Sequence, residues 1–443
     1  MMRFLLLTAL ICTLALPGAA GAETCVTAAC HAGIGAVKNL HQPVRDAECL
    51  SCHQQAAREH PLKDGKSYPL AAKGAELCNR CHDPFGKKKL VHAPVQEGDC
   101  LSCHKAHGAK GRFLLDDGED QGALCFGCHD SAPFAREYVH GPVAMGNCTA
   151  CHDPHQSDAK SLLKRGSREL CLSCHSEFAK KMRAAAIIHP PVKNEPCVSC
   201  HDPHSAATRY LLKEKMPDLC VGCHAKIGKK LKGAKNIHKP ILEGKLCGNC
   251  HSTHFSASKG LLAADEKSVC LGCHNTDQLG KPPLNNIKKE LEGKNKQLHG
   301  PLEKGRCLGC HDPHASDFDN MFIGDYPPGF YAPYAQDSYD LCLQCHEKHL
   351  LRFPETTIYT KFRNGDRNLH YLHVVDGRKG RSCRACHVAH AGDGEKLTAK
   401  DGAVFGEWKV PSRLAITPTG GSCAPGCHRS VAYDREKPVT YER

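Results

Sequence analysis

The sequence is short of the residues from which a conventional protein core is built. Only 6% of its 443 residues are aromatic, and tryptophan occurs once, at Trp408. Beyond the N-terminal segment no apolar run approaches the ~20 residues that a bilayer-spanning helix needs, so no transmembrane helix is expected in the rest of the chain. Methionine is scarce: past that segment only Met145, Met182, Met216 and Met321 remain, at no recurrent position. No phosphate loop, nucleotide fingerprint or Ser-His-Asp arrangement is present. The 40 glycines and 27 prolines, many beside the motifs described below, exclude long regular elements, because proline pushes the residue before it away from helix.

The N-terminus opens with Arg3, an apolar run over 4–16, Pro17 and then Ala20-Gly21-Ala22. This pattern predicts a secretory signal peptide over 1–22, cut after Ala22. No cysteine stands directly after that cut, so a lipid anchor is not indicated. The mature chain is expected outside the cytoplasm: in the periplasm, associated with the outer membrane, or extracellular.

Cysteine and histidine are what the chain has in excess. Of 31 cysteines, Cys12 leaves with the leader, and the other 30 form pairs each followed at once by histidine. Thirteen pairs have a two-residue spacing. They are Cys49/Cys52 before His53, Cys78/Cys81 before His82, Cys100/Cys103 before His104, Cys125/Cys128 before His129, Cys148/Cys151 before His152, Cys171/Cys174 before His175 and Cys197/Cys200 before His201. The others are Cys220/Cys223 before His224, Cys247/Cys250 before His251, Cys270/Cys273 before His274, Cys307/Cys310 before His311, Cys342/Cys345 before His346 and Cys383/Cys386 before His387. Two variants stand at the ends, with four residues between Cys25 and Cys30 before His31 and three between Cys423 and Cys427 before His428.

Two thiols on one short turn can reach the two vinyl groups of one haem edge, and the adjoining imidazole can ligate the iron; Cys-x-x-Cys-His is the attachment signature of haem c. A disulfide scaffold gives no reason to place histidine after every second cysteine. Structural zinc needs four ligands in all, so fifteen pair-plus-histidine units would be a wasteful supply. The motifs therefore predict about 15 covalently attached haems and their iron.

Sixteen histidines lie outside the motifs: His41, His60, His92, His107, His140, His155, His189, His204, His238, His254, His299, His314, His349, His370, His373 and His390. With 15 vacant distal positions, the count predicts bis-histidine haems and one surplus histidine, for which a surface or propionate-binding role is the default. His155 already has His152 as the proximal ligand of its own motif, so it is expected to ligate a neighbouring haem. No spare histidine follows His428, so the last haem is expected to borrow from His349, His370 or His373. Iron with two imidazoles is low-spin and, without methionine, of low potential. No catalytic residue is expected, and the chain reads as a non-enzyme.

The motifs recur in a two-haem repeat. Seven units begin at His41, His92, His140, His189, His238, His299 and His373, at intervals of 51, 48, 49, 49, 61 and 74 residues, and the Cys25 motif stands ahead of them. The expected fold is mostly irregular with short α-helices, an extended linear array with a regular region over 23–298 (11 haems) and enlarged repeats with a cap over 299–443 (4 haems). Helices are predicted over 167–181 and 216–232. With so few apolar side chains, the haem macrocycles must supply most of the buried apolar surface. Fifteen of the 25 aromatic residues lie beyond Asp317, in inserts over 317–340, 352–369 and 393–419; they read as a cap, with partner docking as the second reading.

The formal charge of +12 does not indicate nucleic-acid binding. Without Arg3 the mature polypeptide is +11, and fifteen haems would add thirty propionates and, when ferric, fifteen positive cores, giving −4 oxidised and −19 reduced. The runs Lys87-Lys88-Lys89 and Lys229-Lys230-Leu231-Lys232 read as solvated charge that offsets propionates.

The repeat of His-x-Pro, Cys-x-x-Cys-His-x-x-His and Leu-Cys-x-x-Cys-His resembles the doubled-CxxCH multihaem cytochromes c, and is similar to the decahaem conduit cytochromes that metal-respiring bacteria place inside an outer-membrane porin. The resemblance implies an irregular haem-wired fold, electron transfer between periplasm and exterior, and as partners other periplasmic or outer-membrane cytochromes and a porin. This chain departs from that pattern in having 15 motifs, in the seven-residue spacing of His53 and His60, and in Phe85, which follows His82-Asp83-Pro84 where other copies carry histidine. The expected function is conduction of electrons through the haem chain; the alternatives are an oxidoreductase with one open haem site and a subunit of an extracellular cytochrome filament.

Overall fold

The computed structural model describes residues 25–26, 30–115, 121–278, 284–293, 297–375, 380–398 and 403–441. The expected signal peptide over 1–22 lies outside the described residues. Two units are distinguished: one comprises residues up to Cys174 together with His201–Leu212, the other His175–Cys200 and Lys213 onward. Both are built from the same local pieces, short helical turns and two-residue antiparallel ladders joined by irregular chain.

Each repeat starts at its His-x-Pro. Proline fixes φ and lacks an N–H, so it suits the first turn of a helix and keeps the residues before it extended. Accordingly His41, His92, His140 and His299 are extended residues that cap the four-residue helices Gln42–Arg45, Ala93–Gln96, Gly141–Ala144 and Gly300–Glu303. The two residues before each of these histidines pair with two residues that follow a spare histidine in the next repeat. In the first unit Asn39–Leu40 pairs with Gly108–Ala109, Leu90–Val91 with Gln156–Ser157, and Tyr138–Val139 with Ser205–Ala206. In the second, Ile187–Ile188 pairs with Phe255–Ser256, Asn236–Ile237 with Ala315–Ser316, and Gln297–Leu298 with Ala391–Gly392. Close approach limits what these strands can carry: a Cβ on Gly108 would stand 2.7 Å from the Asn39 carbonyl oxygen.

In the first five repeats the two motifs adopt different backbones. The first sits on a 3-10 turn, as at Cys100–Ser102, Cys148–Ala150 and Cys197–Ser199. The second sits on an α-helix, as at Gln121–Phe126, Ser167–Cys174 and Glu266–Leu271. The single helices expected over 167–181 and 216–232 are each two: Ser167–Cys174 then Ser176–Ala184, and Asp218–Val221 then Ala225–Gly233. The breaks fall at His175 and His224, whose ψ values of 49° and 54° leave the helical region and swing the imidazole off the helix face.

Large apolar side chains are poorly covered by polypeptide: Phe113 and Tyr210 are each 72% exposed and Leu50 64%. Of the buried apolar residues in the regular repeats, Ala109, Ala179 and Ala206 are small, and Met182 and Ile241 are the larger ones. The apolar cluster of the enlarged repeats, Tyr339, Leu351 and Val374, is packed by Tyr326, Tyr334 and Leu350. A three-stranded antiparallel sheet, Ala415–Ile416, Gly420–Cys423 and Val431–Asp434, and a hairpin of Ala403–Phe405 with Trp408–Val410 complete that region.

Candidate haem sites

The backbone of each repeat aims imidazoles. The N–H of a repeat's first histidine donates to the carbonyl of a spare histidine one repeat on: His41 to His107, His92 to His155 and His140 to His204 in the first unit, and His189 to His254, His238 to His314 and His299 to His390 in the second. The same leading histidines fix their rings through Nδ1, which lies 2.9–3.0 Å from a backbone carbonyl: Ala106, Pro154 and Pro203 for His41, His92 and His140, and Thr253 and Pro313 for His189 and His238. A carbonyl only accepts, so Nδ1 carries the proton and Nε2 keeps its lone pair, the tautomer that binds a metal.

The proximal histidines of the first motifs are held the same way, by a device nine residues downstream. His104, His152, His201, His251, His311 and His387 direct Nδ1 to the carbonyls of Phe113, Ser161, Tyr210, Gly260, Asn320 and Lys396 at 2.8–2.9 Å. Each of those carbonyls belongs to a left-handed residue, with φ from 54° to 67°, followed by a second left-handed residue: Leu114, Leu162, Leu211, Leu261, Met321 or Leu397. Two successive non-glycine residues in this region are costly; here the conformation turns the carbonyl onto the imidazole. Glycine takes the place only at Gly260. In the first repeat, where the spacing departs, His53 finds the Tyr68 carbonyl at 3.0 Å without such a pair.

Held this way, motif and spare histidines face one another. In the first unit the ring centroids of His31 and His60 are 5.8 Å apart, His82 and His41 5.9 Å, His53 and His107 6.1 Å, His129 and His92 6.1 Å, His104 and His155 6.0 Å, and His152 and His204 6.0 Å. In the second, His224 faces His189 at 6.0 Å, His274 faces His238 at 6.3 Å, His251 faces His314 at 6.0 Å, His346 faces His299 at 6.0 Å and His311 faces His390 at 6.3 Å. Two metal–nitrogen bonds of about 2 Å, with about 1.1 Å from each nitrogen to its ring centre, require roughly 6.2 Å. The residues present therefore fit an iron between each pair. A rule emerges: a second motif is faced by the histidine that opens its own repeat, and a first motif by a spare histidine of the repeat after it.

At the start of the seventh repeat, burial and then the His387 imidazole act on His370, and His428 is among the groups that act on His373. Of the three candidates to serve His428, His373 is the one on which it acts. His349 instead stacks on Phe353 and Tyr359, with Nδ1 2.7 Å from Glu347 Oε1. Burial holds many of these imidazoles below their ordinary pKa, among them His155, His204, His274 and His311, and pushes His370 to about 4. In these histidines burial favours the neutral form, which alone ligates.

Five pairs of first cysteines from consecutive motifs are neighbours. Cys25 hydrogen-bonds Cys49 and Cys78 hydrogen-bonds Cys100 in the first unit; Cys220 does so with Cys247, Cys270 with Cys307 and Cys342 with Cys383 in the second. As free thiols these pairs share a proton unevenly: hydrogen bonding from Cys220 pulls Cys247 down to about 6, and that from Cys270 pulls Cys307 to about 7. All thirty described cysteines are free of disulfides, which leaves their sulfurs available to haem.

The sequence assigns both cysteines of a motif alike to one haem, whereas the structure sets them in different surroundings. The second cysteines Cys52, Cys81, Cys103, Cys128, Cys223, Cys273 and Cys345 take no part in the sulfur pairs. Cys81, Cys128, Cys223, Cys273 and Cys345 are exposed, and Cys52 and Cys103 half-buried. What places them is backbone. Each donates its N–H to the carbonyl of the first cysteine of its motif at 3.2–3.4 Å, and the histidine after it donates to the same carbonyl at 2.9–3.0 Å. One carbonyl thus gathers the second thiol and the proximal imidazole onto a single turn, and the assignment of these seven thiols to haem rests on that turn and on the motif; at sulfur, Cys103 lies 3.7 Å from the Ser102 hydroxyl.

A family model for the doubled CXXCH motif matches residues 41–87, 92–134, 140–180, 189–229, 238–279 and 299–350, together more than half of the chain. The chain belongs to this family of multihaem c-type cytochromes. Every match begins at a histidine that opens a repeat, and six doubled motifs provide twelve haem c attachment sites in the cytochrome. The Cys25 motif and the seventh repeat lie outside the matched stretches. No curated protein matches the cytochrome.

Several features escaped the sequence. Phe85, which breaks the repeat pattern, stacks on His155 with centroids 4.5 Å apart. The lysine runs are not wholly solvated: Lys88 lies 3.7 Å from Asp153, and Lys230 bridges Asp312. Both carboxylates also accept the backbone N–H of a spare histidine, His155 or His314. Asp-Pro-His at 153–155 and 312–314 is the signal that pointed there, since aspartate two residues before an N–H forms a side-chain turn.

Proposed function

We propose that this cytochrome conducts electrons through about fifteen bis-histidine haems c, passed along in the order of their attachment motifs. The observation that carries the reading is the facing of motif and spare histidines at the separation two iron–imidazole bonds need. Haem iron with both axial positions so filled exchanges single electrons and offers no open position to a substrate.

The chain's own residues do the rest. Left-handed carbonyls and strand-anchored carbonyls hold Nε2 toward the iron, burial favours the neutral form of histidines such as His155, His204 and His311, and five pairs of first cysteines set consecutive attachment points side by side. The haem of the Cys100 motif takes His155, and that of Cys423 and Cys427 takes His373; His349 stands outside the ligand set. No helix among the described residues is long and apolar enough to cross a membrane. We place the cytochrome outside the cytoplasm, exchanging electrons with other exported redox proteins; a porin as its housing rests on the resemblance alone.

The test is low-temperature electron paramagnetic resonance of the oxidised holoprotein, integrated against haem content. Wholly low-spin iron is expected. A high-spin signal near one iron in fifteen would reveal an open site and replace conduction with an oxidoreductase reading.

A further inference from the structure

We propose that Asp153, Asp202 and Asp312 are positioning residues that lower the potentials of the haems served by His155, His204 and His314, and that the place they occupy is where the chain adjusts its haems one by one. The inference rests on the reading of those three histidines as distal ligands, whose rings face His104, His152 and His251 at 6.0 Å. One turn presents the place in six repeats. The residue after a proximal histidine donates its N–H to the carbonyl of the second left-handed residue: Asp153 to Leu162, Asp202 to Leu211 and Asp312 to Met321, and equally Lys105 to Leu114, Ser252 to Leu261 and Val388 to Leu397. The backbone bond is the same in all six, and the side chain varies.

The carboxylates are held in place by main chain. Oδ1 of each accepts the N–H of the histidine two residues on, at 3.0 Å, and in two of the turns it also lies beside the ring, 3.8 Å from Nδ1 of His155 and 3.7 Å from Nδ1 of His314. At that separation the contact is one of charge, not a hydrogen bond. A negative charge there makes the imidazole a more basic ligand and stabilises the additional positive charge of ferric iron, so it lowers the potential. Each carboxylate also meets a cation from two repeats earlier: Lys88 stands 3.7 Å from Asp153, Arg136 3.1 Å from Asp202, and Lys230 bridges Asp312. The cation offsets part of the charge, so each such haem is set by a pair of opposed side chains. Where the turn carries Val388, the helix Ile287–Leu291 brings Glu290 to 3.5 Å from Nδ1 of His390. The same charge thus reaches that ring by another route. At the two remaining turns the place is taken by Lys105 and Ser252.

The experiment is an equilibrium redox titration of the full-length holoprotein, followed at the haem α-band, with haem content and spin state measured for every variant. Asp153→Asn, Asp202→Asn and Asp312→Asn combined keep an oxygen for each histidine N–H and remove the charge; about three haems in fifteen should move to higher potential. Lys88→Gln, Arg136→Gln and Lys230→Gln combined should move the same share to lower potential. Lys105→Asp adds a carboxylate to the turn before His107, which faces His53 at 6.1 Å, and should lower about one haem in fifteen. A merely structural role would not give opposite signs. If a combined variant fails to load fifteen haems, the single substitutions that compose it decide. An unmoved titration, a uniform displacement of the whole wave, or the same direction for both combined variants overturns the inference. The ligand reading is tested separately through His155→Ala: one haem turned high-spin, with the asparagine variants moving nothing, removes the inference alone, whereas an unchanged low-spin spectrum removes the reading on which it rests.

Discussion

Replacing His155 by alanine isolates one link of the array. The imidazole faces His104 at 6.0 Å but belongs to no attachment motif, so its loss removes an axial ligand without touching the machinery that recognises Cys-x-x-Cys-His. Haem content should stay at fifteen, while one iron in fifteen, about 7% of the total, becomes high-spin. The backbone should hold: the bond from His92 N to the residue-155 carbonyl and the ladder of Leu90–Val91 with Gln156–Ser157 use main-chain atoms only. Phe85 loses a stacking partner, which costs about 1 kcal/mol. Electron paramagnetic resonance gives the spin count, pyridine haemochrome the haem content, and millimolar imidazole should restore the low-spin signal by filling the gap. A spectrum identical to wild type would refute the axial role of His155. High-spin iron well above one in fifteen would show that the ligand is not a local element and that neighbouring sites collapse with it.

Two further outcomes are expected. Chain produced without haem attachment should give far-ultraviolet circular dichroism of a largely unfolded polypeptide, because its buried apolar side chains are few and mostly small; a cooperative thermal transition in that material would contradict the view that macrocycles furnish the core. Asp434 Oδ2 accepts from the Thr419 hydroxyl, and Oδ1 from the N–H groups of Glu436 and Lys437; the hydroxyl first, then the N–H groups, hold its pKa down to about 2. With the folded pKa depressed, the stabilisation is present above the carboxyl's ordinary range and lost as pH falls toward 2. Limited proteolysis with an acid-tolerant protease should therefore release the segment after residue 411 only in that window, whereas Asp434→Ala should release it at neutral pH; equal resistance of the two proteins would remove the carboxylate from the account.

The covalent chemistry of this cytochrome was legible in its sequence because attachment is local. Two cysteines and a histidine on one turn suffice, and no distant residue alters what they are. The repeat was equally open, since each unit repeats its own turn signals, His-x-Pro and Asp-Pro-His among them, and the irregular fold with short helices follows from those prolines and glycines. Helix extent was less so: 167–181 and 216–232 read as continuous, yet His175 and His224 interrupt them because an imidazole must leave the helix face to reach its partner.

Tertiary structure alone decided which histidine faces which. His155 could have met any of several motifs, and its pairing with His104 follows from ladders that join each repeat to the next, formed by two-residue strands too short to leave a pattern. Four of the left-handed residues behind the proximal imidazoles, Phe113, Ser161, Tyr210 and Lys396, are of no type that announces their φ; their carbonyls are turned onto the imidazoles by the hydrogen bond they make. Thr360 is likewise an ordinary threonine in an insert until the fold brings its hydroxyl to His370. Attachment is written residue by residue, whereas ligation depends on distances across tens of residues, and those only the folded chain can set.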